Sequence, residues 1–280
     1  MIVWRNGEFT DSGGAVSAAD RGYLVGDGVF ETLLVRNGAP AFLAEHLSRL
    51  RRGADALGFG VRFEADAVRA AIGALLCRNA LHGDAVCRMT VTRSGGARGL
   101  APSVEASVEI LVALHPAPPP KALFSLIVSA HRRFSDAATN RFKCVGAYAP
   151  NLLARMEAAK AGADEALLLN EHGRVAGASA ANLFVVIGDG LVTPPESEGA
   201  TPGVTRLKLI EAAAEIGVAA RIEPVAPAML ERAPLILTNS VIGAAPAVML
   251  NRGAPPSALA SRIAAAYERK LELAFSGRPE

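Results

Sequence analysis

The stretch Arg141-Phe142-Lys143-Cys144-Val145-Gly146-Ala147-Tyr148-Ala149-Pro150-Asn151-Leu152-Leu153-Ala154-Arg155-Met156 decides how this chain is read. Lys143 stands among small and apolar residues just before a helix start. A charged amine is costly to withdraw from water, and less so when it is neutral or covalently engaged. Lysines in such settings act as amine nucleophiles toward carbonyls. A surface lysine at a helix start is the plainer alternative, and Lys143 alone does not separate the two. Pro150 in the first turn and Gly162 at the end frame the helix that follows, over 151–161.

Further along comes Gly173-Arg174-Val175-Ala176-Gly177-Ala178-Ser179-Ala180-Ala181-Asn182-Leu183-Phe184. Strands are expected over 165–170 and 182–187, joined through Gly173-Arg174, with an earlier strand over 123–130. A turn-rich stretch over 193–203 has the look of a functional loop, and Thr201-Pro202-Gly203 leads into a helix over 204–216. A strand over 235–237 runs into Thr238-Asn239-Ser240, and a long helix over 256–275 closes the chain.

Upstream, His115-Pro116-Ala117-Pro118-Pro119-Pro120-Lys121 holds four prolines in seven residues. That density excludes a helix or a central strand and favours an extended connector. It predicts an N-terminal domain over 1–115, a linker over 116–121 and a C-terminal domain over 122–280. In the first part, residues 1–4 and the Asn6-Gly7 turn suggest a short strand, and 30–36 a second strand closed by Asn37-Gly38. Leu43, Leu47, Leu50, Ala54 and Leu57 recur at helical spacing up to Gly58. A second helix over 65–77 precedes strands over 86–92 and 104–114. Helices and strands that do not alternate regularly point to an α+β fold.

With 280 residues, half of them hydrophobic, the chain can bury a sizeable core. A net charge of +2 gives no reason to expect a nucleic-acid or membrane partner. The clusters Arg49-Leu50-Arg51-Arg52 and Arg132-Arg133 suit solvated faces unless a phosphate is near. Cys77, Cys87 and Cys144 show no CxxC spacing and are expected as reduced thiols in a cytoplasmic protein. The five histidines form no i,i+4 pair, so no metal site is expected. The first ten residues lack the apolar core of a signal peptide.

Three features together suit a phosphorylated aldehyde. Lys143 supplies an amine for an imine. Thr201-Pro202-Gly203-Val204-Thr205-Arg206 opens a helix, where free backbone amides and the dipole favour a phosphate. Thr238-Asn239-Ser240 offers hydroxyls and an amide to the same group. Arg49, beside the apolar stripe of its helix, is a further phosphate candidate. An ordinary helix start, a strand-end turn and a solvated arginine are the plainer readings of the three polar groups.

The order and spacing of these motifs resemble the class IV aminotransferases, the pyridoxal-phosphate enzymes of fold type IV. That family takes in branched-chain aminotransferases, D-amino-acid transaminases and 4-amino-4-deoxychorismate lyases. The resemblance runs through Asp20-Arg21-Gly22-Tyr23, Gly26-Asp27-Gly28-Val29-Phe30-Glu31-Thr32, Glu45-His46-Leu47-Ser48-Arg49-Leu50, the Lys143 segment, Asn182-Leu183-Phe184 and the two threonine motifs. It implies a small N-terminal α/β domain and a larger C-terminal domain with a barrel-like sheet, the active site lying between them. It implies pyridoxal 5'-phosphate as cofactor, joined to Lys143, which later moves the substrate proton. It further implies that Arg49 grips the phosphate and that Val204, Thr205, Thr238 and Asn239 complete the cup. Tyr148 matches a tyrosine near the cofactor's phenolic oxygen, and Gly177 and Ala178 lie along the ring. Phe30, Arg88 and Arg98 match substrate-pocket positions. A homodimer is implied as well.

One position departs from the pattern. The family carries a glutamate for the ring nitrogen where this chain has Gly177. A carboxylate there favours the protonated ring, which takes up electrons when a proton leaves the substrate carbon. Gly177→Glu is therefore expected to raise the protonated fraction. Leu100 holds the histidine position of the D-enzyme carboxylate trap. The resemblance then implies an aminotransferase acting on an amino acid and a 2-oxo acid. A 4-amino-4-deoxychorismate lyase yielding 4-aminobenzoate and pyruvate is the alternative. A homologue without turnover is a third reading, motivated by Gly177.

Overall fold

The computed structural model describes residues 1–95 and 99–276, which form two compact units. Among the described residues, the first takes in Met1–Pro118, Phe142–Ala147 and the segment 274–276; the second takes in Pro119–Arg141 and Tyr148–Leu273. The fold is α+β, with a smaller sheet domain and a larger one built on a curled half-barrel sheet.

Unit 1 contains β1 (Ile2–Arg5), β2 (Glu8–Asp11), α1 (Arg21–Val25), β3 (Gly28–Arg36), β4 (Ala39–Pro40), α2 (Leu43–Ala56), α3 (Ala65–Arg78), β5 (Ala85–Ser94) and β6 (Ser107–Pro116). Its six strands run β2-β1-β6-β5-β3-β4, each pair antiparallel. The pleat of β5 sorts its residues: Cys87, Met89 and Val91 are buried, while Arg88, Thr90 and Thr92 turn to the opposite face. The buried row joins Leu33 and Val35 of β3 under Leu43, Leu47, Leu50 and Ala54 of α2 and Ile72 and Leu75 of α3. These α2 positions are the helical stripe expected from sequence. Gly58 follows the helix at φ +70°, a left-handed conformation that glycine adopts without a β-carbon clash. Burial pushes the Cys87 thiol up to about 12, so it is an apolar filler rather than a nucleophile.

Unit 2 contains β7 (Phe124–Arg132), α4 (Ala149–Lys160), β8 (Glu165–Leu169), β9 (Val175–Ala178), β10 (Asn182–Ile187), β11 (Gly190–Thr193), α5 (Val204–Glu215), β12 (Ala220–Ile222), β13 (Leu235–Asn239), β14 (Gly243–Met249) and, as far as Leu273, α6 (Ala258–Phe275). The sheet order is β12-β11-β10-β13-β14-β7-β8-β9. Parallel pairs (β11 with β12, β14 with β7, β7 with β8) stand beside antiparallel ones. Leu126, Leu167, Val175, Leu183, Val185, Leu235 and Leu237 make its core, and α4 packs on β7 and β8 through Ala154 and Ala158. Among the described residues no helix is long and apolar enough to cross a membrane.

Several elements differ from the sequence expectation. β9, β11, β12 and β14 were not anticipated, and β13 extends through Thr238 and Asn239, which therefore belong to a strand rather than a turn after one.

Candidate active site

In unit 1 the Lys143 segment runs beside the start of β3. Val29 and Cys144 form an antiparallel bridge, and the Phe30 N–H donates to Lys143 O at 3.0 Å. The lysine amine lies 4.4 Å from the centre of the Phe30 ring. The Arg88 guanidinium stacks on the same ring, 3.3 Å from its centre, and donates from Nε to Thr90 Oγ1 at 3.2 Å. Removal from water holds the Lys143 amine down to about 7; Glu31 pulls it up, and the Arg49 and Arg88 cations push it down. At neutral pH this amine is divided between its charged and neutral forms. It can attack a carbonyl and can also give up or take a proton.

Glu31 organises the other side of the group. Its side chain is fully buried. Arg49 donates to it twice, Nε to Oε1 at 2.6 Å and Nη2 to Oε2 at 2.7 Å. His46 Nδ1 meets Oε2 at 2.7 Å. Burial pushes the Glu31 carboxyl up, but the Arg49 and His46 partners outweigh it and hold it at about 2. Burial likewise holds His46 below its ordinary value, so it is neutral and its Nδ1 carries the shared proton. His46 and Arg49 lie one turn apart on α2 and so face one carboxylate. Arg49 is thus buried and ion-paired, whereas Arg51 and Arg52 are exposed as a solvated cluster should be. Arg98 lies outside the described residues.

In unit 2, Gly203 leads into α5, followed by Val204 and the buried Thr205. A β-carbon on Gly203 would stand 2.1 Å from Asn182 Oδ1, so any larger residue there would have to displace the Asn182 amide. Asn182 Nδ2 donates to Thr201 O at 2.8 Å and fixes the loop. A second tie comes from Glu198, whose Oε2 accepts from Arg174 Nε at 2.6 Å and from Asn170 Nδ2 at 2.5 Å. The first amides of α5 have no partners within the helix, and α5 packs on β13. On β13 the Thr238 hydroxyl is buried with no hydrogen-bond partner. An orphaned buried hydroxyl is costly and points to an absent acceptor. Asn239 differs: its Oδ1 accepts from Val241 N at 2.8 Å and Ile242 N at 2.9 Å, and its Nδ2 donates to Ala180 O at 3.1 Å. Its side chain is committed to a turn. Thr205 bonds the buried Tyr267 phenol, which burial pushes above its ordinary value.

The remaining expected residues also belong to unit 2. Tyr148 directly precedes α4 and makes no side-chain capping bond to it. Gly177 on β9 sits at φ +146°, a conformation nearly reserved for glycine. Ala178 O accepts from Arg133 Nη2 at 3.1 Å. The Arg132-Arg133 pair is therefore not simply a solvated cluster: Arg132 is exposed, while Arg133 turns inward. Three residues given no role from sequence thus stand out: Glu31, His46 and Arg133. A glutamate on a strand ahead of a His-x-x-Arg helix was a usable signal for the first two.

The sequence pattern described as Amino-transferase class IV matches residues 28–249. The chain belongs to this family. It is 33% identical over 228 residues to a putative branched-chain-amino-acid aminotransferase of Methanocaldococcus jannaschii, covering 80% of this chain and 78% of that one. It is 27% identical to an aminodeoxychorismate lyase of Bacillus subtilis, covering 97% and 95%. A branched-chain aminotransferase structure from Thermoproteus uzoniensis, with norvaline, shares the fold at a TM-score of 0.90 and 24% identity, over 99% of this chain and 95% of that one. One from T.th., complexed with N-(5'-phosphopyridoxyl)-L-glutamate, has a TM-score of 0.87 at 27% identity over the same shares. Class IV aminotransferases use pyridoxal 5'-phosphate. Taken separately, the unit 1 lysine amine held near neutrality suits an aldehyde, and the unit 2 orphaned hydroxyl beside a helix start suits a phosphate.

Proposed function

We propose that this chain is a pyridoxal 5'-phosphate-dependent aminotransferase that moves an amino group between an amino acid and a 2-oxo acid. The observation carrying this reading is the Lys143 amine, held down to about 7 among Phe30, Glu31, Arg49 and Arg88. When bound, the cofactor supplies a conjugated ring that accepts electrons as a proton leaves the substrate carbon. Lys143 would hold the cofactor's aldehyde carbon and would move the substrate proton, tasks that need an amine near neutrality at working pH. The phosphate is assigned to Arg49, to the Val204 and Thr205 amides, to the Thr238 hydroxyl and to the backbone at Asn239. Glu31 and His46 orient Arg49. Tyr148 is assigned to the phenolic oxygen, and Gly177 and Ala178 to the ring. Phe30 and Arg88 shape the substrate site, where a guanidinium suits a carboxylate, and Arg98 is a further candidate for that site. Domains over 1–115 and 122–280, a homodimer and a cytoplasmic location complete the proposal.

The B. subtilis lyase relative covers nearly the whole chain, which favours a second reading: release of pyruvate from aminodeoxychorismate. Purified protein loaded with pyridoxal phosphate should be screened against amino donors and 2-oxo acid acceptors, with pyruvate release from aminodeoxychorismate measured in parallel. Amino transfer supports the first reading, and pyruvate release without transfer replaces it with the second.

A further inference from the structure

Position 177 departs from the family pattern, and the structure shows what stands in front of it. Arg133 follows β7 directly, and its backbone N–H donates to Leu169 O at 3.0 Å. Its side chain therefore springs from a fixed point beside β8 and β9. Nη2 donates to Ala178 O at 3.1 Å. Nη1 lies 3.4 Å from where a β-carbon on Gly177 would stand. The guanidinium lies in ordinary contact distance of that point. At φ +146° any residue other than glycine is strained by about 1–3 kcal/mol. Gly177→Glu is thus opposed by the backbone conformation, while Arg133 stands close enough to meet whatever lies along this strand.

Arg133 is short of partners. A guanidinium carries five N–H donors, and among the described residues Ala178 O is its side chain's one hydrogen-bond acceptor. Glu165 and Tyr148 act on it only through their charge, and burial works against its charged form. Glu165 is committed elsewhere: it accepts from Ala166 N at 2.7 Å and from the Ser179 hydroxyl. A half-buried guanidinium with spare donors beside a glycine-only strand has N–H groups to offer to an acceptor there.

We propose that Arg133 is the group this chain offers to the ring nitrogen of bound pyridoxal phosphate, donating an N–H to that nitrogen as an unprotonated acceptor. The inference rests on the pyridoxal-phosphate reading above, including the assignment of Gly177 to the ring. A neighbouring cation disfavours protonation of the nitrogen. The consequence is a weaker electron sink and a heavier demand on Lys143 during proton transfer.

The test loads the full-length protein with pyridoxal phosphate isotopically labelled at the ring nitrogen and records that nitrogen's NMR resonance across neutral pH. The expected resonance is that of an unprotonated pyridine throughout. A resonance at the protonated position overturns the inference while leaving the cofactor reading intact. Protein that retains no label after gel filtration overturns both. Arg133→Glu supplies a carboxylate without disturbing Gly177 and should move the resonance to the protonated position; an unmoved resonance also refutes the assignment. The ring N-methylated analogue, a fixed cation with no acceptor, should bind wild-type protein about tenfold more weakly than pyridoxal phosphate. Equal binding counts against Arg133.

Discussion

Replacing Glu31 with glutamine removes one charge and leaves the shape of a buried cluster nearly unchanged. In the wild-type protein Glu31 is fully buried, takes two bonds from Arg49 and a third from His46, and is held at about 2. The gap between an ordinary glutamate near 4.5 and about 2 is worth ~3 kcal/mol of folding stability. Removing one member of a buried ion pair costs about 3–5 kcal/mol by a separate route, the stranding of the other charge. The two figures agree. The sign follows from the depressed carboxyl: its contribution is present in full above the unfolded value near 4.5 and is lost as pH falls toward about 2. Glu31→Gln should therefore lose ~3 kcal/mol at neutral pH. Its deficit relative to wild type should shrink once the pH drops below about 4.5. Urea unfolding of both proteins over a series of pH values measures this. A deficit under about 0.5 kcal/mol, the size of an ordinary surface change, would refute the reasoning. So would a deficit that does not narrow on acidification. Because Glu31 also supports the charged form of Lys143, the lysine amine of the variant should titrate below about 7.

Thr238→Val removes a hydroxyl that has no partner; stability of the cofactor-free protein should hold or rise, while pyridoxal-phosphate affinity falls about tenfold. Parallel loss of both in unfolding and binding titrations would argue against a phosphate contact. Glu198→Gln should destabilise by about 1–3 kcal/mol in urea unfolding, since Arg174 and Asn170 both depend on that carboxylate. Gly177→Ala, which adds only a β-carbon at φ +146°, should cost about 1–3 kcal/mol; a neutral result would show that the backbone there is not restricted to glycine.

The sequence carried local information well. The spacing of Leu43, Leu47, Leu50 and Ala54 announced α2 because each residue points to the same side every turn. Pro150 and Gly162 marked the ends of α4 through their own backbone limits. Long-range pairing was less accessible. β9 is Val-Ala-Gly-Ala, too small and too short for a strand signal, and it forms because β8 pairs with it. Thr238 and Asn239 looked like a turn because polar residues usually end strands, but pairing with Ala244 and Gly243 keeps them extended. Around the candidate site, Lys143 and Arg49 stood out from their neighbours in sequence. Glu31 did not, because its partners lie fifteen and eighteen positions away. Arg133 looked like half of a surface pair because its acceptor, Ala178 O, is forty-five residues downstream.

The measurement closest to the central claim is borohydride reduction of the pyridoxal-phosphate-loaded protein followed by peptide mass spectrometry. The phosphopyridoxyl mass should appear on the peptide carrying Lys143 and on no other. Label on Lys121, Lys160, Lys208 or Lys270 instead, or no stable label after reduction, would contradict the account.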